Sequence, residues 1–557
     1  MWIYIFYLTS STICGRMEAK TKQLRQVLLV AYRKNSYQQI AFDDSYNNLT
    51  PREKRFLDKS WAASFAENYF DFINEDRFSV LYSDNPASRP NTPVNVIFGL
   101  LIIKEMRGLT DEDAMEELLF SIAVQYALRT TSYEEQPISD RTLSRFRAMC
   151  ALYLLETGED LVKEEVKALA KHQAELQGIS PRLKRMDSLM VDSSCKKMGR
   201  LELLHTVVSN MAKEIIKAGA SDQLDDKLRK YAEDEDKNDV CYRLGKDQVD
   251  QKMDEIAKDA ARIREICEQV LTDLVEQDNK EYRLLVRMLS EQTEEKDGET
   301  VLKKGQDIST TSIQNPSDED ATFRNKAGKD HKGYVGNIVE TCDENGNVIT
   351  DFDLKQNIYS DEQFAKDVLE DLGEDSNTEV IAVDGAYVTA DTLELAEKNG
   401  IQLVAGKLSG QQTNPIIGDF KIDDTSGCIT ECPQGHKPIS SKYDSEKELA
   451  TAHFSHDDCD GCPYRDQCIG KKQKKSVVVR ITKKQVIRAI QAKKMSDEDY
   501  KQLINKRNGV EGLPSVLRRK YLVDRIPSRG LVRGKIWFAF KIAAINSKRL
   551  VKTLQEA

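Results

Sequence analysis

Residues 378–406 read TEVIAVDGAYVTADTLELAEKNGIQLVAG. The run Val380-Ile381-Ala382-Val383 has the length and β-branched content of a buried strand, and it stops abruptly at Asp384. Gly385 and Ala386 follow, then a helical stretch, then a second apolar run, IQLVAG. Strand, helix and strand in this order are the repeating unit of an α/β sheet. An Asp at a strand tip ordinarily makes an Asx turn or caps the next helix. It is also where a rigid sheet holds a carboxylate for a metal ion or a proton. Which use applies depends on the carboxylates that can join it.

The same alternation extends upstream. LKRMDSLMV, residues 183–191, makes a short strand containing Asp187. GYVGNIVETCDENGNVITDFDL, residues 333–354, reads as a β-hairpin turning at Glu344-Asn345-Gly346. A helix is expected near 361–372. Between them, Ile256, Ala260, Ile263, Cys267, Val270 and Leu274 step by four and three, as in a helical hairpin or short coiled coil. EQTEEKDGET, 291–300, and the polar run to Asp320 read as loop. The expectation is an α/β core carrying insertions.

Before this core the period is helical. TPVNVIFGLLIIKEMRGLTDEDAMEELLFSIAVQYALR, 92–129, places apolar residues three and four apart, with Gly108 separating two helices. Pro137 and Ser139 then look like a helix start with Ser139 as N-cap. That helix would present Arg141, Thr142, Ser144, Arg145 and Arg147, a possible DNA-reading face or simply a solvated one.

At 557 residues the chain has length for several domains, and 40% apolar with 31% charged residues suits a globular protein. No run of 18 apolar residues occurs, so no transmembrane helix is expected. The start, MWIYIFYLTSSTICGRM, is apolar without a basic beginning or a clear cleavage site. It is best read as an upstream extension of a chain beginning at Met17, with a short signal peptide as the alternative, and the expected location is cytoplasmic. Overall 92 acidic residues outnumber 82 basic ones. From Lys471 onward, however, 24 Lys and Arg face 6 Asp and Glu, a net of +18, whereas 220–300 is acidic. Such asymmetry suits a polyanion-binding surface beside an acidic arm.

Three carboxylates carry chemical interest: Asp187 in the first strand, Asp384 at a later strand tip, and Glu511 in the basic tail. Brought together, such groups hold two Mg²⁺ or Mn²⁺ ions about 4 Å apart, for water activation and leaving-group stabilisation at phosphorus.

In this order the segments resemble a DDE transposase of a bacterial insertion sequence. MDSLMVDSS resembles the family's first-Asp strand, with a second acidic position at Asp192, and VIAVDGAY its second-Asp strand. PSDEDATFRNKAGKDHKGYVGNIVETCDENGNVI resembles the stretch from its Asp-Ala motif through a Gly-Tyr strand. RNGVEGLPSVLRRKY and the following RGLVRGKIWFAFKIAAINSKRL, with Asn546, resemble its terminal Glu helix and basic follow-on. SRPNTPVNVIFGLLIIKEMRGLTDEDAMEELL resembles the helical domain that often precedes such cores.

The resemblance implies an α/β, ribonuclease-H-like mixed-sheet core with Asp187, Asp384 and Glu511 as catalytic metal ligands. The implied division is a poorly ordered segment 1–45, a helical DNA-binding domain 46–180, and a core 181–557. That core is interrupted by a helical insertion at 200–300 and a Cys-rich insertion at 407–475. The activity implied is metal-dependent hydrolysis at terminal inverted repeats followed by strand transfer to target DNA, with a homodimer on the DNA. A catalytically silent DNA-binding derivative, or a nuclease without strand transfer, fits the same residues. Relatives carry a tyrosine–arginine–glutamate–lysine signature around the Glu. Here Arg507 precedes Glu511 by four and Arg518 follows by seven, offsets close to one helix face. The tyrosine position is Ile504, and Arg518 replaces the lysine. Arg507, Arg518, Arg519, Lys520, Arg141 and Arg145 are the expected DNA contacts. Gly509, Gly512 and Pro514 threaten the continuity of that helix.

Of eleven cysteines, five fall between Cys428 and Cys468. The spacing suggests a metal knuckle, with Cys428, Cys432, Cys459 and Cys462 around Zn²⁺ and Cys468 as an alternate ligand. His436, His453 and His456 add further candidate donors. An iron–sulfur cluster or plain reduced thiols are the alternatives.

Overall fold

The structure, a computed structural model, describes residues 30–35, 46–83, 85, 87–130, 138–139, 141–276, 279–296, 298–326, 328–374, 377–408, 412–423 and 425–556, without the side chains of 506–511. The apolar start and Pro137 lie outside the described residues.

The helical N-terminal region comprises α1 (Pro51–Asp58), α2 (Trp61–Asn68), α3 (Val94–Arg107), α4 (Asp111–Phe120), α5 (Ile122–Ala127), α6 (Thr142–Thr157) and α7 (Leu161–Leu176). Local chemistry sets the ends. Thr50 with Glu53, and Thr110 with Asp113, form capping boxes at α1 and α4. α3 is apolar nearly all round and buried, and it stops at Gly108, whose φ of 71° is the left-handed conformation glycine tolerates best. The start of α6 is a correction: its N-cap is Arg141, not Ser139. The Ser139 amide donates to Thr142 Oγ1 at 2.9 Å, making a turn ahead of the helix.

The chain then enters β1 (Leu183–Asp192) and leaves for a helical insertion built on α8 (Arg200–Lys217), α9 (Val249–Gln269) and α10 (Lys280–Gln292). Leu204, Val208 and Met211 of α8, Ile256 and Ile263 of α9, and Leu285 and Met288 of α10 share a core separate from the sheet. The expected apolar stepping therefore buries a bundle, ending near Cys267, while Val270 is exposed. The stretch read as loop contains a small hairpin, β2 (Thr293–Lys296) with β3 (Glu299–Leu302).

The sheet continues with β4 (Thr322–Lys326), β5 (Lys329–Asp343), β6 (Gly346–Gln356), α11 (Asp361–Leu372), β7 (Val380–Val383), α12 (Ala390–Lys398) and β8 (Gln402–Ala405). The five central strands lie in the order β6-β5-β1-β7-β8, with β5 antiparallel to β1 and β6, and with β7 parallel to β1 and β8. This mixed α/β architecture is consistent with a ribonuclease-H-like core.

Beyond β8 comes the Cys-rich module: β9 (Lys421–Ile422), β10 (Ile429–Glu431), β11 (Ser440–Asp444), β12 (Leu449–Phe454), β13 (Lys471–Lys472) and β14 (Val477–Thr482). Its main sheet runs β11-β12-β14-β13. The chain closes with α13 (Lys483–Lys494), α14 (Glu498–Tyr521) and α15 (Leu531–Glu556). α14 is continuous through Gly509, Gly512 and Pro514, although the proline removes one hydrogen bond. α15 packs against β6 and against α2, α3, α6 and α7. One buried cluster consequently runs from Ala62 of the N-terminal helices through Leu189 and Val191 of β1 to Val551 of α15. The packing is unbroken across residue 180. No helix among the described residues is long and apolar enough to cross a membrane.

Candidate active site

The register of β1 on β7 decides the geometry. Leu183 pairs with Val380, Lys184 with Ile381 and Arg185 with Ala382. Continued by two residues, the same offset sets Asp187 beside Asp384, on neighbouring parallel strands about 4.8 Å apart. Both side chains share one face. Met186, Met190, Ile381 and Val383 face the core under α11 and α12. Alternation sends Asp187, with Leu189 and Val191, to the opposite face, and Asp384 follows Ala382 there. Asp187 is half-buried and Asp384 exposed.

Each carboxylate is pinned by the next amide. Ser188 N–H donates to Asp187 Oδ1 at 2.8 Å, and Gly385 N–H to Asp384 Oδ1 at 2.7 Å. Asp384 does cap a short 3₁₀ turn, Gly385–Tyr387, so the ordinary reading of a strand-tip Asp holds alongside the chemical one. Tyr387 lies buried beneath, its hydroxyl donating to Asn337 Oδ1 at 3.0 Å. Burial first, then the charge of Asp361, with smaller contributions from Asp187 and Asp384, pushes the Tyr387 phenol well above its usual range against an opposing Ser188 hydrogen bond. The phenol is therefore a neutral support beside three carboxylates.

α14 crosses the same face, packing on β1, β7 and β8. Its first turn is fixed at β8, where the Ala405 amide donates to the Tyr500 hydroxyl at 3.0 Å. Ile504 follows one turn later, its Cγ2 only 3.3 Å from where a Cβ on Gly406 would stand. Further on, Leu513 and Leu517 enter the main core with Leu189 and Val191 of β1. The helix backbone thus carries residue 511 across the strand ends between β8 and β1. The side chains of Glu511 and Arg507 are outside the described residues. Asp192, at the far end of β1, has Lys197 at 2.7 Å and is about 16 Å along the strand from Asp187, so it stands apart from the pair.

The expected DNA contacts divide. Arg141 and Arg145 are exposed on the first turn of α6, whereas Arg147 is tied to Asp111 at 3.1 Å. Arg519 and Lys520 are exposed at the end of α14, and Arg518 lies 3.4 Å from Asp524.

Two features were not anticipated. Glu340 is fully buried between Arg185 Nη2 at 2.6 Å and Arg549 Nη1 at 2.8 Å, linking β5, β1 and α15 two residues before Asp187. Asp318, also buried, accepts from the Tyr334 hydroxyl at 2.6 Å and the Gly530 amide at 3.1 Å, while Asp320 accepts from Leu531 N–H at 2.8 Å. The Asp-Ala segment is therefore a clamp on the N-terminus of α15.

The zinc expectation is not met in its stated form. Among the described residues no group of three or more His, Cys, Asp or Glu is placed to hold a metal ion. Cys428 stands apart by the β9–β10 turn, whereas Cys432, Cys459, Cys462 and Cys468 line a cavity of about 30 Å³ with His436. All five are free thiols. His453 is engaged by Ser476 Oγ at 3.0 Å.

Residues 52–149 match the family model described as "Transposase domain (DUF772)", and residues 431–551 match "Transposase DDE domain". These matches support a DDE-type transposase of an insertion element. The DDE match spans the module from β10, all of α14 and most of α15, and begins after Asp187 and Asp384. No curated protein and no solved structure matches the chain. The carboxylate pair fits the divalent metal that the DDE family generally uses: hard oxygen donors on adjacent strands, reachable from solvent.

Proposed function

We propose that this chain binds the terminal inverted repeats of its element, hydrolyses phosphodiesters at the element ends and joins the freed 3′-hydroxyls to target DNA. The observation that supports the reading is the β1–β7 register, which, continued by two residues, brings Asp187 level with Asp384 on strands that the helix containing Glu511 packs against. Asp187, Asp384 and Glu511 would hold Mg²⁺ or Mn²⁺, which when bound lowers the pKa of water and offsets charge at phosphorus. The chain's own contribution is positioning. The Ser188 and Gly385 amides fix the two carboxylates, and the buried Tyr387 keeps a neutral group behind them. The arginines near the end of α14, and Arg141 and Arg145 on α6, would contact phosphates, and two protomers would hold the paired ends. A nuclease using the same pair without joining is the second reading, since hydrolysis and transfer need the same carboxylates.

The test is Mg²⁺-dependent cleavage and joining of a labelled duplex carrying the flanking terminal repeats, wild type beside Asp384→Asn. The variant is expected to lose on the order of 10³-fold in cleavage rate while binding DNA normally. A variant that cleaves like wild type refutes the assignment. Cleavage without joining favours the nuclease, and specific binding without chemistry in the wild type favours a silent DNA-binding protein.

A further inference from the structure

From Lys471 to Lys494 the chain carries ten Lys and Arg and no Asp or Glu. The structure sorts these charges into two groups. Three of those on α13 dock the helix: Lys483 meets Glu394 at 2.6 Å, Lys484 meets Asp391 at 3.2 Å, and Lys493 pairs with Asp419. Those of the β13–β14 hairpin do not. Lys472 reaches Asp460 at 2.7 Å, but Lys471, Lys474, Lys475 and Arg480 are exposed and have no acidic partner among the described residues.

Register places them together. Val477, Val479 and Ile481 of β14 face the module's core, so Arg480 points to the opposite face. Thr451 of β12 pairs with Arg480 on one side and Lys442 on the other, so the two cations flank it about 10 Å apart. Lys471 pairs with Val478 and shares the parity of Arg480. The turn of the hairpin, closed by the Gln473 amide on the Ser476 carbonyl at 2.9 Å, carries Lys474 and Lys475 at its tip. Lysines on an edge strand also deter edge-to-edge pairing. That role accounts for Lys471 and Lys472, but neither for two lysines in the turn nor for an arginine on an inner strand.

We infer that this hairpin face of the Cys-rich module, with Lys471, Lys474, Lys475 and Arg480 at its centre and Lys442 at its side, is a docking surface for the phosphate backbone of duplex DNA. The inference rests on the DNA transposase reading and locates a contact outside both the helical N-terminal region and the carboxylate pair. On this face the one carboxylate in register with Lys442, Asp444, is held by Lys447, so the net cationic charge gives sequence-independent attraction, and each phosphate neutralised releases counterions.

The experiment is fluorescence anisotropy of the full-length chain with a labelled duplex of arbitrary sequence, between about 50 and 200 mM salt. The variant changes Lys471, Lys474, Lys475 and Arg480 to Gln. The expected result is at least about tenfold weaker binding at low salt and a log–log salt slope shallower by about 3 to 4. Changing Lys213, Lys217, Lys230 and Arg243 to Gln makes the same charge change on the helical insertion and is expected to leave both quantities at wild-type values. A companion with Lys471, Lys474 and Lys475 changed to Arg is expected to bind like wild type, which separates lost charge from lost folding. Unchanged affinity and slope in the Gln variant overturn the inference. A wild type that binds through this face yet never cleaves element ends sinks the transposase reading and leaves the surface standing. A wild type without salt-dependent duplex binding overturns both.

Discussion

Glu340→Gln should be among the most destabilising conservative changes in the core. The carboxylate is wholly enclosed, and its two oxygens are shared between Arg185, whose side chain is 10% exposed, and Arg549, at 28%. Glutamine keeps the shape and one acceptor but removes the charge that faces Arg185 in a desolvated site. Breaking a buried pair from one side typically costs about 3–5 kcal/mol. Arg549 can turn partly to water and should add no more than about 1 kcal/mol. Urea unfolding followed by tryptophan fluorescence reads the effect, since Trp61 and Trp537 both pack on the cluster that spans β1 and α15. Replacing all three groups with apolar residues (Arg185→Met, Glu340→Leu, Arg549→Met) should recover most of the loss, because no unpaired charge remains. A loss below about 1 kcal/mol for Glu340→Gln would refute the claim that the pair is desolvated.

Three further outcomes follow from the packing. A Cβ at Gly333 would lie 2.4 Å from the Val191 carbonyl oxygen and 2.6 Å from the Ser193 nitrogen, so Gly333→Ala should cost about 2–4 kcal/mol by forcing β5 from β1, measured by the same unfolding midpoint. His205 is buried beside Asp236, and burial lowers its pKa from 6.5 despite the opposing Asp236 hydrogen bond. The unfolded chain then binds the extra proton first, so stability is full above about pH 6.5 and falls as pH drops below it. Protection factors of the α8 amides, corrected for the intrinsic exchange rate, should fall from pH 7.5 to about 5.5, and His205→Gln should weaken that dependence. Pro514→Ala should stabilise α14 by as much as about 3 kcal/mol, and an unchanged midpoint would mean the helix already bends to accommodate the ring.

The strand–helix–strand rhythm around Asp384 was legible because each element is bounded by its own punctuation: Ser360 before α11, Thr389 before α12, and Gly346 starting β6. The two aspartates were legible for the same reason, since each ends or interrupts an apolar run. Elements held by distant partners were not. β2 is largely exposed and β3 mostly half-buried, and neither alternates between a buried and an exposed face. α14 survives Gly509, Gly512 and Pro514 because Tyr500 at one end and Leu513 and Leu517 farther along are anchored in other elements, a tertiary effect that no local propensity contains. The Arg185–Glu340–Arg549 bridge joins residues 155 and 209 positions apart, and only the fold brings them into contact. The same holds in the Cys-rich module, where spacing favoured Cys428 while the chain path turns Cys468 toward the cavity instead.

The pairing of β1 with β7 has a consequence for how the molecule assembles. Leu183 meets Val380, so this contact closes a loop of 197 residues (380 − 183), and loop closure of that length costs roughly 5 kcal/mol of chain entropy. The insertion bundle and the β5–β6 hairpin are local and can form first, whereas the parallel pairing has nothing to gain until those intervening units are compact. Asp187 and Asp384 are thus expected to come together only after those intervening units have folded. A nascent chain still missing β7 has no paired carboxylates, so on the proposed reading its metal-dependent chemistry has to wait until the intervening units have folded.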